Sequence, residues 1–252
     1  MQSDPLFLAV ALPAVVVAAA SKAGFGGAGA FVATPFVALV LAPGQTLGVL
    51  LPVLIAIDFA TLGPYWRRWS GRDAWALVLW GAVGVGLGWA VWGLVSDAVV
   101  RLAIGAVALV FVAQRLAAAA GWQPGGDPAF RPLRAGFWGV VAGLTSFVSN
   151  AGGPPAAIAL VPRRLDKTTY QATTVVVFFW LNLMKAGPFA ALGFFDAEAL
   201  RLSLILLPAA ALGVAIGILA HARVPQRAFD AVILVGLAGA GGKLVVDGIA
   251  AL

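Results

Sequence analysis

The chain lacks cysteine and is poor in charge, and both shortages limit what it can be. Only 10% of its 252 residues are charged, whereas 62% are hydrophobic. A soluble domain carries about 25% charged residues, so this chain could not cover a surface that faces water. The absence of cysteine excludes disulfides and thiolate chemistry. The composition therefore predicts an all-α polytopic membrane protein that lies in the lipid bilayer and has no metal site.

The basic residues do not indicate a nucleic-acid partner, although the net charge is +6. They lie in short loops between apolar runs, which is the distribution of the positive-inside rule. The single histidine, His221, also falls in a short loop, where we expect it to be solvated. The N-terminus lacks the basic region of a cleavable signal peptide, so we expect the first apolar run to be retained.

Ten apolar segments follow one another along the chain. Their limits are Leu6–Ala20, Ala30–Leu41, Thr46–Trp66, Ala74–Val95, Val99–Ala119, Ala135–Val148, Pro155–Val161, Thr168–Phe194, Leu200–Ala220 and Ala228–Ala250. Segments three, four, five, eight, nine and ten have the length of about 20 residues that a bilayer-spanning helix needs. Segment one is marginal, and segments two, six and seven are short.

The two halves of the chain resemble each other. Residues 53–64 read VLIAIDFATLGP and residues 177–188 read VFFWLNLMKAGP, which aligns Asp58 with Asn182. Segments four and nine share a GxxxG spacing, which by itself is typical of close helix packing. The pattern predicts a first repeat over residues 1–120, a cytoplasmic linker over 121–134 and a second repeat over 135–252. Each repeat opens with a broken or re-entrant helix pair, followed by three transmembrane helices.

The distribution of charge predicts the orientation. With the N-terminus outside, eleven basic residues fall on the cytoplasmic side and only Arg101 and Arg201 fall outside. The eleven are Arg67, Arg68, Arg72, Arg115, Arg131, Arg134, Arg163, Arg164, Lys167, Arg223 and Arg227. Five segments per half invert the second half relative to the first. The sequence thus predicts inverted-topology repeats, which are typical of secondary transporters, with both termini on the periplasmic side.

A substrate site is expected near the membrane midplane, where the two glycine-rich breaks meet. Glycine lets the backbone approach a ligand, and helix N-termini offer N–H groups to anions. The candidate substrate-binding residues are Lys22, Gly24, Gly26, Gly27, Ser149, Asn150, Gly152, Gly153, Asn182 and Lys185. Asp58 is the candidate for proton coupling or for an ion pair. Charges inside the membrane cost about 2.5–3.5 kcal/mol each, which makes them functional candidates.

A purely structural interpretation remains open for each candidate. The glycines could serve only tight helix crossing, Asp58 and a lysine could only lock the bundle, and Lys22 could extend to the interface. Asn150 and Asn182 could hydrogen-bond between helices. Lys243 lies four residues before Asp247, so we expect an interfacial ion pair there and leave both out of the site.

No motif favours an enzyme. The sequence has neither HExxH nor GxSxG, and residues 24–29 lack the Lys-Ser/Thr ending of a nucleotide loop. We therefore expect no catalytic residue and no cofactor.

Several motifs resemble the TauE/SafE family over residues 6–250. In the first half these are SKAGFGG at 21–27 and Thr34-Pro35, and in the second NAGGPP at 150–155 and YQAT at 170–173. The resemblance implies a bacterial inner-membrane permease of two repeats that moves sulfite, sulfoacetate or another sulfonate.

Three functions follow as hypotheses. The first is a secondary transporter of a small anion that works by alternating access, with proton coupling as an option. The second is an anion channel of the same topology, and the third is a non-transporting membrane scaffold. The expected partners are a small anion and the lipid bilayer, not nucleic acid. The oligomeric state stays open, with a homodimer as one option.

Overall fold

A computed structural model shows an all-helical chain, and it describes residues 5–24, 30–121, 128–220 and 226–252. The helices are α1 (Pro5–Gly24), α2 (Ala33–Val37), α3 (Pro43–Leu62), α4 (Gly71–Trp92), α5 (Asp97–Ala119), α6 (Pro132–Ser149), α7 (Gly153–Leu160), α8 (Lys167–Ala191), α9 (Ala197–Ala220) and α10 (Gln226–Ala250). Short 3-10 turns over Ala30–Val32 and Val161–Arg163 flank α2 and α7. The predicted all-α fold class is confirmed.

Six of the described helices are long and apolar enough to cross a membrane, namely α1, α3, α4, α5, α8 and α9. The side of α4 that faces away from the protein carries Trp75, Leu79, Trp80 and Leu87, each between 46% and 66% exposed. Large apolar side chains in such number face lipid at no cost, whereas in water they would form an exposed patch. The protein is therefore a multi-pass membrane protein.

The first helix is longer than the sequence predicted. Segment one was expected to end at Ala20 and to be of marginal length, but α1 continues to Gly24 and has 20 residues. The cause is Lys22, whose charge marked the end of the apolar run in the sequence. Its ammonium pairs with Asp58 in α3 at 2.6 Å, so the helix carries the lysine inside the protein. The short members of the two opening pairs are therefore α2 and α7.

Helix contacts in one half have counterparts in the other. Helix α1 packs along α9 as α6 packs along α4, and α3 contacts α9 as α8 contacts α4. The remaining large contacts, α3 with α8 and α5 with α10, each join two helices at equivalent places in the two halves. Each half thus packs its fourth helix, α4 or α9, against helices of the other half. This arrangement produces two large apolar cores.

The GxxxG glycines lie at close contacts between these helices. A Cβ at Gly84 in α4 would overlap the carbonyl oxygen of Val140 in α6. In the other half, a Cβ at Gly217 in α9 would come within 2.5 Å of the carbonyl oxygen of Ala20 in α1. Both spacings therefore allow backbone-to-backbone approach, as the pattern indicated.

Three of the loops that the sequence predicted to face the cytoplasm gather at one end of the bundle. Arg163, after α7, pairs with Asp73 at the start of α4 at 2.8 Å. Arg134, at the start of α6, donates a hydrogen bond to the carbonyl of Ile158 at 2.9 Å. These contacts tie the loop after α3, the linker and the loop after α7 together.

Candidate functional site

A chain of buried polar contacts joins the two halves between α1, α3 and α8. The Nζ of Lys22 lies 2.6 Å from one carboxylate oxygen of Asp58 and donates to the carbonyl of Leu54 at 3.3 Å. The amide of Asn182 donates to the other carboxylate oxygen of Asp58 at 2.7 Å. Asp58 and Asn182 are the pair that the alignment of the two halves makes equivalent. The contact therefore lies where the two halves meet.

Lys185 forms the second part of this cluster, one helical turn further along α8. It is fully buried, and its Nζ donates to the side-chain oxygen of Asn150 at 2.7 Å and to the carbonyl of Ser146 at 3.1 Å. Among the described residues no carboxylate lies within ion-pair distance of it. A buried ammonium that has only neutral acceptors is costly, which makes Lys185 a functional candidate rather than a simple structural lock.

The break between α6 and α7 sets the position of Asn150. Helix α6 ends at Ser149, and Asn150 adopts a left-handed conformation with φ of 55° before α7 begins at Gly153. Asparagine tolerates this conformation better than most residues. The turn directs its amide to Lys185 on one side and to the hydroxyl of Thr34 in α2 at 3.4 Å on the other. The broken helix thus positions a polar group in the interior.

A small cavity lies against this cluster. Its lining combines polar and apolar side chains, namely Lys22, Leu54, Ser146, Asn150, Gly153, Phe178 and Asn182. The space open to the centre of a water molecule is about 10 Å³, which is enough for about one water. The cavity is therefore too small in this conformation for a sulfur oxyanion, which would need it to widen.

The second glycine-rich break has few backbone donors. Pro154 and Pro155 in the first turn of α7 have no N–H, so only Gly152 and Gly153 can offer backbone donors there. A Cβ at Gly24 would overlap the carbonyl oxygen of Gly217, so Gly24 serves the contact between α1 and α9. Gly26 and Gly27 lie outside the described residues.

The candidate Ser149 and the pair Lys243 and Asp247, which was left out of the site, make other contacts. The hydroxyl of Ser149 donates back to the carbonyl of Thr145 in its own helix at 2.9 Å. Lys243 and Asp247 form the expected ion pair at 2.7 Å, and both side chains are exposed. His221 lies outside the described residues.

Two side chains that the sequence did not single out for the site hold the end of α1 in place. Gln171 in α8 donates to the carbonyl of Lys22 at 2.6 Å, and the hydroxyl of Tyr65 donates to the carbonyl of Ala23 at 2.9 Å. The last carbonyls of a helix have no partner within the helix, and here buried side chains supply one. These contacts fix the backbone from which Lys22 reaches Asp58.

Replacing Gln171 by leucine should destabilise the protein by about 1–3 kcal/mol, because the carbonyl of Lys22 would be buried without a donor. The measurement is thermal unfolding of the purified protein in detergent. Gln114→Leu is the matched control, since no hydrogen bond of Gln114 is seen among the described residues and its side chain is half-buried. Equal stability of the two variants would contradict the role of Gln171.

Comparison with known proteins agrees with a helical membrane protein. The family described as sulfite exporter TauE/SafE matches residues 11–244, which is nearly the whole chain. No curated protein and no solved structure gives a match. The family is one of transporters, and the resemblance noted in the sequence is confirmed. On the length of this match, the chain belongs to the sulfite exporter TauE/SafE family.

Proposed function

We propose that the protein is a secondary transporter that moves a small sulfur-containing anion, such as sulfite or a sulfonate, across the bacterial inner membrane. Buried Lys185, which has no carboxylate partner among the described residues, carries the proposal. An anion in the adjoining cavity would supply the missing negative charge. The family's description as sulfite exporters supports a sulfur oxyanion as that ligand.

The cavity lining supplies donors for such an anion. Lys22 carries a positive charge, and the amide nitrogens of Asn150 and Asn182 can donate to oxygen atoms. In the present conformation Asp58 forms an ion pair with Lys22 and accepts a hydrogen bond from Asn182. Lys22 would therefore leave Asp58 and bind the substrate during turnover. Between transport cycles it would pair with Asp58 again.

Alternating access would move the two halves about this site. The cavity lies between the two apolar cores and is too small here to hold the anion, so the halves would have to separate around it. The halves would be inverted repeats, and the end that carries the basic loops would face the cytoplasm. Both termini would then lie on the periplasmic side, in agreement with the even total of ten segments.

Uptake and counterflow of labelled sulfite and sulfonates in proteoliposomes test this function. Lys22→Ala and Lys185→Ala should each lower flux about tenfold or more, since a hydrogen bond to a charged group contributes about 1.5–3 kcal/mol. Lys185→Met, which keeps the length of the side chain, guards against a loss of folding. Lys243→Ala removes an exposed lysine and should leave flux unchanged.

The same assay separates the other functions. A transporter shows saturable flux that substrate on the opposite side accelerates, whereas a channel shows no such acceleration. A membrane scaffold would neither bind nor move the anions. Wild-type flux in both Lys22→Ala and Lys185→Ala would show that the proposed site is wrong.

A further inference from the structure

The formal charge of the buried cluster follows from its ionisable residues. Among the described residues, the ionisable side chains that are less than 5% exposed are Lys22, Asp58, Asp73 and Lys185. Asp73 pairs with Arg163 at the end of the bundle, which leaves two lysines and one aspartate in the cluster. Residues 25–29 next to Lys22 read FGGAG and contain no ionisable group. The cluster therefore has a formal charge of +1.

The unmatched charge belongs to Lys185. Lys22 and Asp58 neutralise each other at 2.6 Å, and Asn182 satisfies the second carboxylate oxygen. Lys185 has the two neutral oxygens of Asn150 and Ser146 and, at 5.9 Å, the ring of Phe189. Neutral oxygens orient an ammonium without cancelling its charge. One negative charge in the cavity would make the cluster neutral, and a second would leave it with a net negative charge.

The cavity lies beside this unmatched charge. Ser146 and Asn150, which hold the ammonium of Lys185, also line the cavity. Leu54 and Phe178 add an apolar surface to the same lining. An anion that is charged at one end and apolar at the other fits such a lining. A compact dianion, which is polar on every side, would leave Leu54 and Phe178 facing charge.

We infer that the transported anion is singly charged, as in a simple sulfonate or hydrogensulfite, and that a compact dianion such as sulfate is disfavoured. This inference rests on the proposed function and narrows its substrate. A monoanion cancels the charge of the cluster, whereas a dianion leaves one net negative charge in an interior of low dielectric, where an unpaired ion is strongly penalised.

Methanesulfonate and sulfate are suitable probes because they have nearly the same tetrahedral shape and differ by one charge. Neither changes its charge around neutral pH. Their affinities are measured by competition against labelled methanesulfonate in proteoliposomes and by isothermal titration of the purified protein. We expect wild type to prefer methanesulfonate about tenfold or more, which corresponds to about 1.4 kcal/mol.

Charge variants separate this effect from size and polarity. Asp58→Asn raises the cluster charge to +2 and should shift the preference toward sulfate by about tenfold or more. Lys185→Met lowers the charge to zero and should lose methanesulfonate affinity. Lys243→Met, which disrupts the exposed pair with Asp247, should keep the wild-type ratio. Because the preference between the two anions is a ratio within one preparation, a lower yield of folded protein does not change it.

Two outcomes would overturn the inference while leaving the proposed function intact. One is wild-type protein that binds sulfate as well as methanesulfonate, and the other is an Asp58→Asn ratio equal to that of wild type. If wild type neither binds nor moves any sulfur oxyanion, sulfite included, the proposed function itself fails. The inference falls with it.

Discussion

Asp58→Leu is expected to lower the free energy of unfolding by about 3–5 kcal/mol, the range seen when one partner of a buried ion pair is removed. Lys22 is only 2% exposed, and without Asp58 its nearest remaining acceptor is the carbonyl of Leu54 at 3.3 Å. The amide of Asn182 would lose its acceptor as well. Chemical or thermal unfolding in detergent micelles, followed by tryptophan fluorescence, measures the effect.

The double variant Lys22→Met/Asp58→Leu should recover part of this loss. Apolar side chains of similar size can replace a buried ion pair at little cost, because no ion is left without a partner. The recovery is incomplete, since Asn182 still lacks its acceptor. Asp247→Leu is the control, because it breaks an exposed pair and should change stability by less than about 1 kcal/mol. A double variant less stable than Asp58→Leu alone would show that the ion pair does not hold the site.

The positions of the polar residues could be predicted because charge inside an apolar run is costly wherever it lies. That rule singled out Lys22, Asp58 and Lys185, and the alignment of the halves added Asn182. The structure brings these four together, and the left-handed turn at Asn150 adds a fifth. The alignment places Asp58 and Asn182 at equivalent positions, and the two side chains contact each other where the first and second halves of the chain meet.

Other features depend on contact partners that are distant in the sequence, which no local sequence pattern predicts. Gln171 and Tyr65 are ordinary polar residues in the sequence, and their roles follow from the end of α1, which lies more than 40 positions away from both. The length of α1 was underestimated because Lys22 was taken as the end of an apolar run before its partner was known. The second break was expected to offer N–H groups to an anion, and its two prolines limit these to Gly152 and Gly153.

The exchange of α4 and α9 between the halves was not predictable from hydropathy either. Each segment is apolar on most of its surface, so periodicity does not say which neighbour it packs against. The glycine spacing predicted that α4 and α9 make close contacts but not with which helix. In the structure those contacts are with α6 and α1, and they hold the two helices that end at the site.

Gly84→Ala is therefore expected to cost about 3 kcal/mol, the upper part of the range for overpacked interiors. The added Cβ would overlap the carbonyl oxygen of Val140 and lie 2.7 Å from the backbone nitrogen of Leu144. Both are backbone atoms, so no side chain can rotate away and α4 must separate from α6. Because α6 carries Asn150 at its end, transport should fall together with stability.

Gly86→Ala is the matched control on the same helix, two residues away. No atom lies within 4 Å of a Cβ at Gly86, so alanine there should keep or raise stability by about 0.5–1 kcal/mol through its better helix propensity. The two substitutions add the same atom to the same helix and are expected to act with opposite sign. Equal effects, measured by unfolding in detergent, would mean that α4 and α6 are not in backbone contact at Gly84.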